Sequence, residues 1–280
     1  MRPEAVVPRD PGVPAPGSPC WLELVTDQPE PAMLFYQRVL GWEYERRTDS
    51  DDMPYYVAML GDDPVGAIRP ASRSLPDWTV YLATPDLDAA LKLSDLLGGR
   101  TIDPVHGVPK VGSKAVIEAP AGAAFGAIQV ARDWAFTAGV PNSLVWVEFI
   151  THLAPQADQY FGELFGFTGR QFGDGVADDY MVWYAGEDSV IGRARMMPGT
   201  PMTVPARWIA HFRTPLDRVF DDAVVLAHEA GARLRFPAYS SELGRVAMMS
   251  DATGARFALI DPSLAVEGGG GSGADDPFDD

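Results

Sequence analysis

One cysteine, four histidines and only 22 Lys+Arg against 39 Asp+Glu are what this 280-residue chain is short of. Each shortage excludes something. A lone Cys20 can form neither an intrachain disulfide nor a thiolate metal cluster. With a net charge of −17 and no clustered Lys and Arg, nothing is built to grip a phosphate backbone. Nucleic acid and anionic membrane surfaces are therefore not expected partners. No apolar run approaches the ~20 residues that span a bilayer. The opening MRPEAVVPRDPGVPAPGSP lacks the apolar core of a secretory signal. Residues 1–17 are expected to be a disordered Pro-rich arm, and the protein to be cytoplasmic. The closing VEGGGGSGADDPFDD combines Gly and Ser with unbalanced acids, which reads as a flexible tail over 264–280.

What is present is a repeat. Trp21-Leu-Glu23-Leu-Val-Thr26 recurs 125 residues on as Trp146-Val-Glu148-Phe-Ile-Thr151. At the same offset Phe35-Tyr36 falls on Tyr160-Phe161, and Leu40-Gly41-Trp42 on Phe165-Gly166-Phe167. Further along, Trp78 and Thr84-Pro85 match Trp208 and Thr214-Pro215. Gly112, Gly122, Phe125 and Ile128 match Gly244, Gly254, Phe257 and Ile260. The chain is read as two homologous domains, 18–133 and 140–263, joined by a linker at 134–139. With 46% hydrophobic residues, two cores of ordinary size are available.

Each half has the same order of elements. Residues 21–26 alternate as a strand, and 31–39 carry apolar residues at helical spacing up to the stop at Gly41. Strands at 55–60 and 65–68 flank the turn Gly61-Asp62-Asp63-Pro64. The cycle restarts with a strand at 79–83, a helix at 86–97 ending in Gly98-Gly99, and strands at 115–118 and 125–130. The fold class is α+β, with a β-α-β-β-β unit written four times. The last helix, expected over 217–230, is longer than its counterpart at 86–97.

The first strand with Phe35-Tyr36…Leu40-Gly41-Trp42, the helix-ending Gly98-Gly99-Arg100, and Gly112…Ala119-Pro120-Ala121-Gly122…Phe125 resemble the vicinal oxygen chelate superfamily. Glyoxalase I, extradiol dioxygenases and bleomycin-resistance proteins belong to it. The resemblance covers nearly the whole chain and implies curled sheets closing into ligand-holding cups. Catalytic members place a His, Gln or Glu at the start of the first strand of each unit and a Glu near the end of the last. Those positions fall here on Trp21 and Trp146, near Thr79 and Ile209, and on Gly126 and Ala258. An indole nitrogen only donates, so no divalent metal and no cofactor is expected.

The substitutions imply a different site. Alternate residues of a strand share a face, so Trp21, Glu23 and Val25 line up, as do Trp146, Glu148 and Ile150. If the family register holds, Tyr81 and His211 join them, with Gly126 and Ala258 leaving room on the floor. A carboxylate sealed in a core without a partner costs several kcal/mol, so Glu23 and Glu148 should see water or a cation. The expected ligand is a bulky planar aromatic molecule stacked on Trp. Trp78, Trp208, Phe35, Tyr36, Tyr160 and Phe161 are read as core, and His106, His152 and His228 as surface or capping residues. The faces of Tyr55, Tyr56, Tyr180 and Trp183 cannot be assigned.

The chain is further similar to tandem accessory proteins of actinomycete antibiotic clusters. That implies a binding or sequestering role toward an antibiotic such as an anthracycline, with a biosynthetic oxygenase as a protein partner. The rival is a superfamily lyase, isomerase or oxygenase acting on an aromatic polyketide, metal-dependent or cofactor-free, with Glu148 or His211 as catalytic base. Replacement of Tyr81 by His211 and the unequal helices predict that the two sites differ.

Overall fold

The structure, a computed structural model, describes residues 13–71, 76–173, 175 and 179–266. Most of the Pro-rich arm and of the acidic tail lies outside the described residues. The first half runs β1 (Pro19–Thr26), α1 (Pro29–Leu40), β2 (Glu43–Thr48), β3 (Pro54–Leu60), β4 (Asp63–Pro70), β5 (Asp77–Ala83), α2 (Leu87–Leu96), β6 (Arg100–Val108), β7 (Gly112–Glu118) and β8 (Ala124–Val130). The second half repeats this as β9 (Leu144–Thr151), α3 (Ala154–Phe165), β10 (Thr168–Phe172), β11 (Tyr180–Ala185), β12 (Asp188–Arg195), β13 (Arg207–Arg213) and α4 (Phe220–Glu229). It ends with β14 (Arg233–Leu234), β15 (Tyr239–Ser241), β16 (Gly244–Ser250) and β17 (Arg256–Asp261). The first sheet has the order β2-β3-β4-β1-β5-β8-β7-β6 and the second β10-β11-β12-β9-β13-β17-β16-β14, with β15 also on β16. Among the described residues no helix is long and apolar enough to cross a membrane.

The local causes repeat between halves. α1 starts on a proline, whose missing N–H costs nothing at a helix start, and stops at Gly41 in the left-handed region at φ 71°. α3 does the same with Pro155 and Gly166. The long fourth helix expected over 217–230 is not found: α4 has ten residues, as α2 does. In α2 the Asp86 side chain accepts from the Ala89 N–H at 2.9 Å and fixes the start. The second half has extended Val219 at that place with no side-chain cap. Its extra residues form a turn, and the helix begins where Phe220 is buried and Asp221 and Asp222 meet the positive helix end.

The helix-bearing faces of the two sheets meet each other. α1 lies against α4 and α2 against α3, so the halves are related as a two-fold pair, with β5 beside β13. One hydrophobic core spans both, and Trp78, Trp208, Phe35, Tyr36, Tyr160 and Phe161 are all in it. Each fully buried large side chain there contributes roughly 1.5–3 kcal/mol. The Phe35 ring meets Phe257 of the other half at 5.6 Å, and Phe125 meets Phe161 at 5.2 Å. Polar atoms inside are matched across the same seam. The Tyr36 hydroxyl donates to Asp251 at 3.0 Å and accepts from the Trp78 indole at 3.0 Å. The Ser94 and Tyr160 hydroxyls are 2.7 Å apart.

This arrangement leaves the outer face of each curled sheet as a cup. The segment after β8 is drawn across the first one. Trp134 and Phe136 pack on its apolar cluster, the Trp134 indole donates to the Cys20 carbonyl at 3.2 Å, and Phe136 meets Trp21 edge-on at 5.9 Å.

Candidate functional site: two unequal cups

Cross-strand pairing puts Trp21, Tyr81 and Gly126 in one row and Glu23 beside Ala67, all on the first cup face. Sequence reasoning brought these residues together, and the structure does too, but the cup they form is filled. Gly126 leaves no opening: a Cβ there would overlap the Tyr81 ring, so the glycine lets that ring lie across the strand. Trp21 and Tyr81 are buried, and Glu23 is fully so.

The charge of Glu23 is satisfied from within the chain. Lys114 on β7 reaches it in a short ion pair, Arg69 on β4 bonds it at 3.2 Å, Tyr81 Oη donates at 3.0 Å and Trp21 Nε1 at 3.1 Å. Arg69 also pairs with Asp49 at 2.6 Å and lies over the Tyr55 ring. Burial by itself would raise the Glu23 carboxyl, but the two cations and these hydrogen bonds outweigh it and pull it down to about 2. Burial, helped by Arg69, pulls Lys114 down to about 8 although Glu23 opposes the shift. Two cations share one carboxylate, so the carboxylate gains most.

The second cup has the same frame and different chemistry. Trp146, His211 and Ala258 form its row, with Glu148 beside Gly192 and Ile209. The strand registers equate Arg69 with Ala194, because both oppose the Val25/Ile150 position. They equate Lys114 with Val246 through Ile128 and Ile260. Both cations that hold Glu23 are therefore apolar side chains around Glu148. Glu148 meets neutral groups instead: Tyr180 Oη donates to it at 2.9 Å, and His211 Nε2 lies 3.6 Å away. Trp146 Nε1 donates to Tyr180 Oη at 3.0 Å, and Gly192 provides the space for that hydroxyl.

The protons on this cluster follow from its partners. His211 Nδ1 lies 3.3 Å from the Ile209 carbonyl, which only accepts, so Nδ1 carries the proton. Burial lowers the His211 pKa although Glu148 pulls the other way, and the ring is neutral at neutral pH. Nε2 then presents a lone pair toward a carboxylate. Two acceptors then face each other at 3.6 Å. Burial, then the Glu148 charge, push Tyr180 and Tyr239 well up, so both stay protonated.

The second cup is closed by a weaker edge than the first. The nine-residue β6 corresponds to β14 and β15, of two and three residues, with Pro237 between them. Phe236 stacks on Tyr239 at 5.6 Å and packs on the cup's apolar cluster. Beside Ile150, Ile209 and Met248 remains a pocket of about 30 Å³, room for about one water.

The metal positions do not hold a donor set. Ala258 has no ligating atom, Gly126 lies under Tyr81, and the Trp21 and Trp146 nitrogens are spent as donors. Glu148 and His211 are two ligands, short of the three or four that a divalent cation takes. Among the described residues, no three His, Cys, Asp or Glu side chains converge as a metal site. The other histidines bond backbone carbonyls: His106 that of Pro104, His152 that of Pro201, and His228 that of Ala232 just past α4. Burial raises the Cys20 thiol, which makes it a poor nucleophile.

No family model matches the chain. It is similar over 90% of its length to a Mn(II)-bound glyoxalase from Novosphingobium aromaticivorans, at TM-score 0.60 and 15% identity over 86% of that chain. The 2,3-dioxygenase LapB from Pseudomonas sp. KL28 matches at TM-score 0.58 and 16% identity, covering 89% of this chain and 92% of that one. The anthracycline biosynthesis protein DnrV of Streptomyces peucetius is 29% identical over 265 residues, 88% of this chain and 94% of the relative. The chain shares the tandem fold of these glyoxalase and dioxygenase structures. The cup floors carry Trp, Gly and Ala at the positions where the resemblance drawn from the sequence implies metal ligands.

Proposed function

We propose that this chain is an accessory protein of aromatic natural-product biosynthesis or resistance, and that its second cup binds a bulky planar aromatic ligand. One observation carries the proposal: the buried pair Glu148–His211, 3.6 Å apart, which sets two acceptors side by side. A phenolic hydroxyl or an ammonium group of a ligand donates to such a pair. Trp146, Tyr180 and Tyr239 surround the pair with aromatic surface, and the stacked Phe236–Tyr239 rings hold the place of a planar guest. Binding displaces that stack, which hangs on the two short edge strands. The name of the biosynthetic relative supports the ligand class, an anthracycline or similar polyketide. Internal neutralisation of Glu23 supports one working site per chain.

The test is calorimetric titration with doxorubicin and its aglycone. The wild type is expected to bind with one site per chain. Glu148→Gln should weaken the cationic glycoside about 10–100-fold, the worth of a hydrogen bond to a charged group. The double variant Glu23→Gln/Lys114→Met should bind as the wild type does. Affinity should also fall at acid pH, below the ordinary histidine range, where His211 takes up its own proton. Absence of binding, or equal loss from the first-cup variant, overturns the proposal.

A further inference from the structure

Beyond the acceptor pair, the second cup changes the sign of its charge along its length. On β13, His211, Ile209 and Arg207 share the cup face and stand opposite Trp146, Glu148 and Ile150. Alternate residues are about 6.6 Å apart, so Arg207 lies about 13 Å from His211 along the strand. At that far end the small pocket is lined by Arg207, Arg235 and Arg256 together with Ile150, Ile209 and Met248. Three arginines around one apolar hollow are unusual in a chain of net charge −17.

Among the described residues the first half has no such cluster. The position of Arg207 is held there by Asp77, since each opposes the Val25/Ile150 site of the central strand pair. The position of Arg256 is held by Ala124, paired with Glu118 as Arg256 is with Ser250. Arg207 is buried, and burial lowers the Arg256 pKa, with Asp77 across the seam pulling against it. Cations held in part out of water, on an apolar floor, favour an anion that brings its own flat hydrophobic surface.

We propose that the arginine end of the second cup receives an acidic group, a carboxylate or phenolate on the edge of the aromatic ligand. The inference rests on the second cup being the ligand site, and it specifies the ligand further: a planar hydroxyaromatic acid, its donor toward Glu148 and its oxyanion toward Arg207, Arg235 and Arg256. Arg235 sits on the segment that carries Phe236, so the anion would also draw that segment back over the bound rings.

The probes are 1,4-dihydroxyanthraquinone-2-carboxylate and the corresponding carboxamide, which differ in charge and hardly in shape. The carboxylate should bind the full-length protein about 10–100-fold more tightly than the amide at low salt. Added salt should narrow the gap. Arg235→Gln and Arg256→Gln, neither fully buried, should each remove most of the preference, whereas Glu148→Gln should weaken both probes together. Thermal melts of each variant confirm that it is folded. Equal affinities, or a preference that survives both arginine variants, overturn the inference and leave aromatic binding intact. If neither probe binds while doxorubicin does, the inference alone fails; if none of the three binds, both fail.

Discussion

Lys114→Met tests whether the first cup is a sealed structural unit. The substitution keeps the length and apolar stem of the side chain and removes only its charge. Glu23, fully buried, is left with Arg69 at 3.2 Å as its cation, and Arg69 is itself committed to Asp49 at 2.6 Å. Breaking one side of a buried pair costs about 3–5 kcal/mol; the remaining bonds from Arg69, Tyr81 and Trp21 reduce this to about 2–4 kcal/mol. In a chain of this size that lowers the melting temperature by roughly 5–10 °C. Glu23→Gln alone strands Lys114 and should cost a similar amount. The double variant removes both charges, leaves Gln in reach of the Tyr81 hydroxyl and should lie within about 1 kcal/mol of the wild type. Urea unfolding followed by far-UV circular dichroism gives the four free energies, with a coupling of at least about 3 kcal/mol expected. Single variants that each cost under about 1 kcal/mol and add without coupling would refute the argument. Glu23 would then be hydrated, and the first cup would be as open to ligands as the second.

Two further predictions concern the same contrast. Val246→Lys places in the second cup the cation that Lys114 provides in the first; it should pair with Glu148 and weaken doxorubicin binding at least about tenfold, read by calorimetry on protein whose melt shows it folded. The Glu23 carboxyl lies below its unfolded value of 4.5, so its stabilisation is present above pH 4.5 and is lost as pH falls toward 2. Urea titrations across that window should show the wild type losing stability faster than Glu23→Gln/Lys114→Met; parallel curves would contradict the assignment.

Much of the fold was legible because it depends on local pattern. Apolar alternation in β1 and β9, helical spacing before Gly41 and Gly166, and the offset between halves all point to a tandem of curled sheets. β2 and β6 escape such reading. β2 is Glu-Tyr-Glu-Arg-Arg-Thr and largely exposed, an edge strand held by its hydrogen bonds to β3 and not by a buried face. The site was legible only as far as one strand and its neighbour. Trp21, Glu23, Tyr81 and their second-half counterparts share rows set by the central strands. Lys114 and Arg69 enter the first cup through pairings between distant segments, and no spacing along the chain announces them. Lys114 directly before the apolar run Ala115-Val116-Ile117 was the available signal, since a charge on a buried strand demands a partner. Tyr180, too, became assignable only once β11 was registered against β12.

The hydrogen bond from Tyr36 to Asp251 joins residues 215 apart in the chain, and the core around it is built from both halves. During synthesis the first half is complete as a sheet long before its helix-bearing face has anything to lie against. At about 5–20 residues per second, the ribosome takes on the order of ten seconds to deliver the missing partner. For that interval Phe35, Tyr36, Trp42 and Phe125 form an uncovered aromatic surface, the kind that recruits chaperones or pairs with the same surface on a neighbouring nascent chain. A duplicated fold whose halves share one interior gains rigidity from the seam, and its period of greatest exposure to aggregation falls before the seam exists.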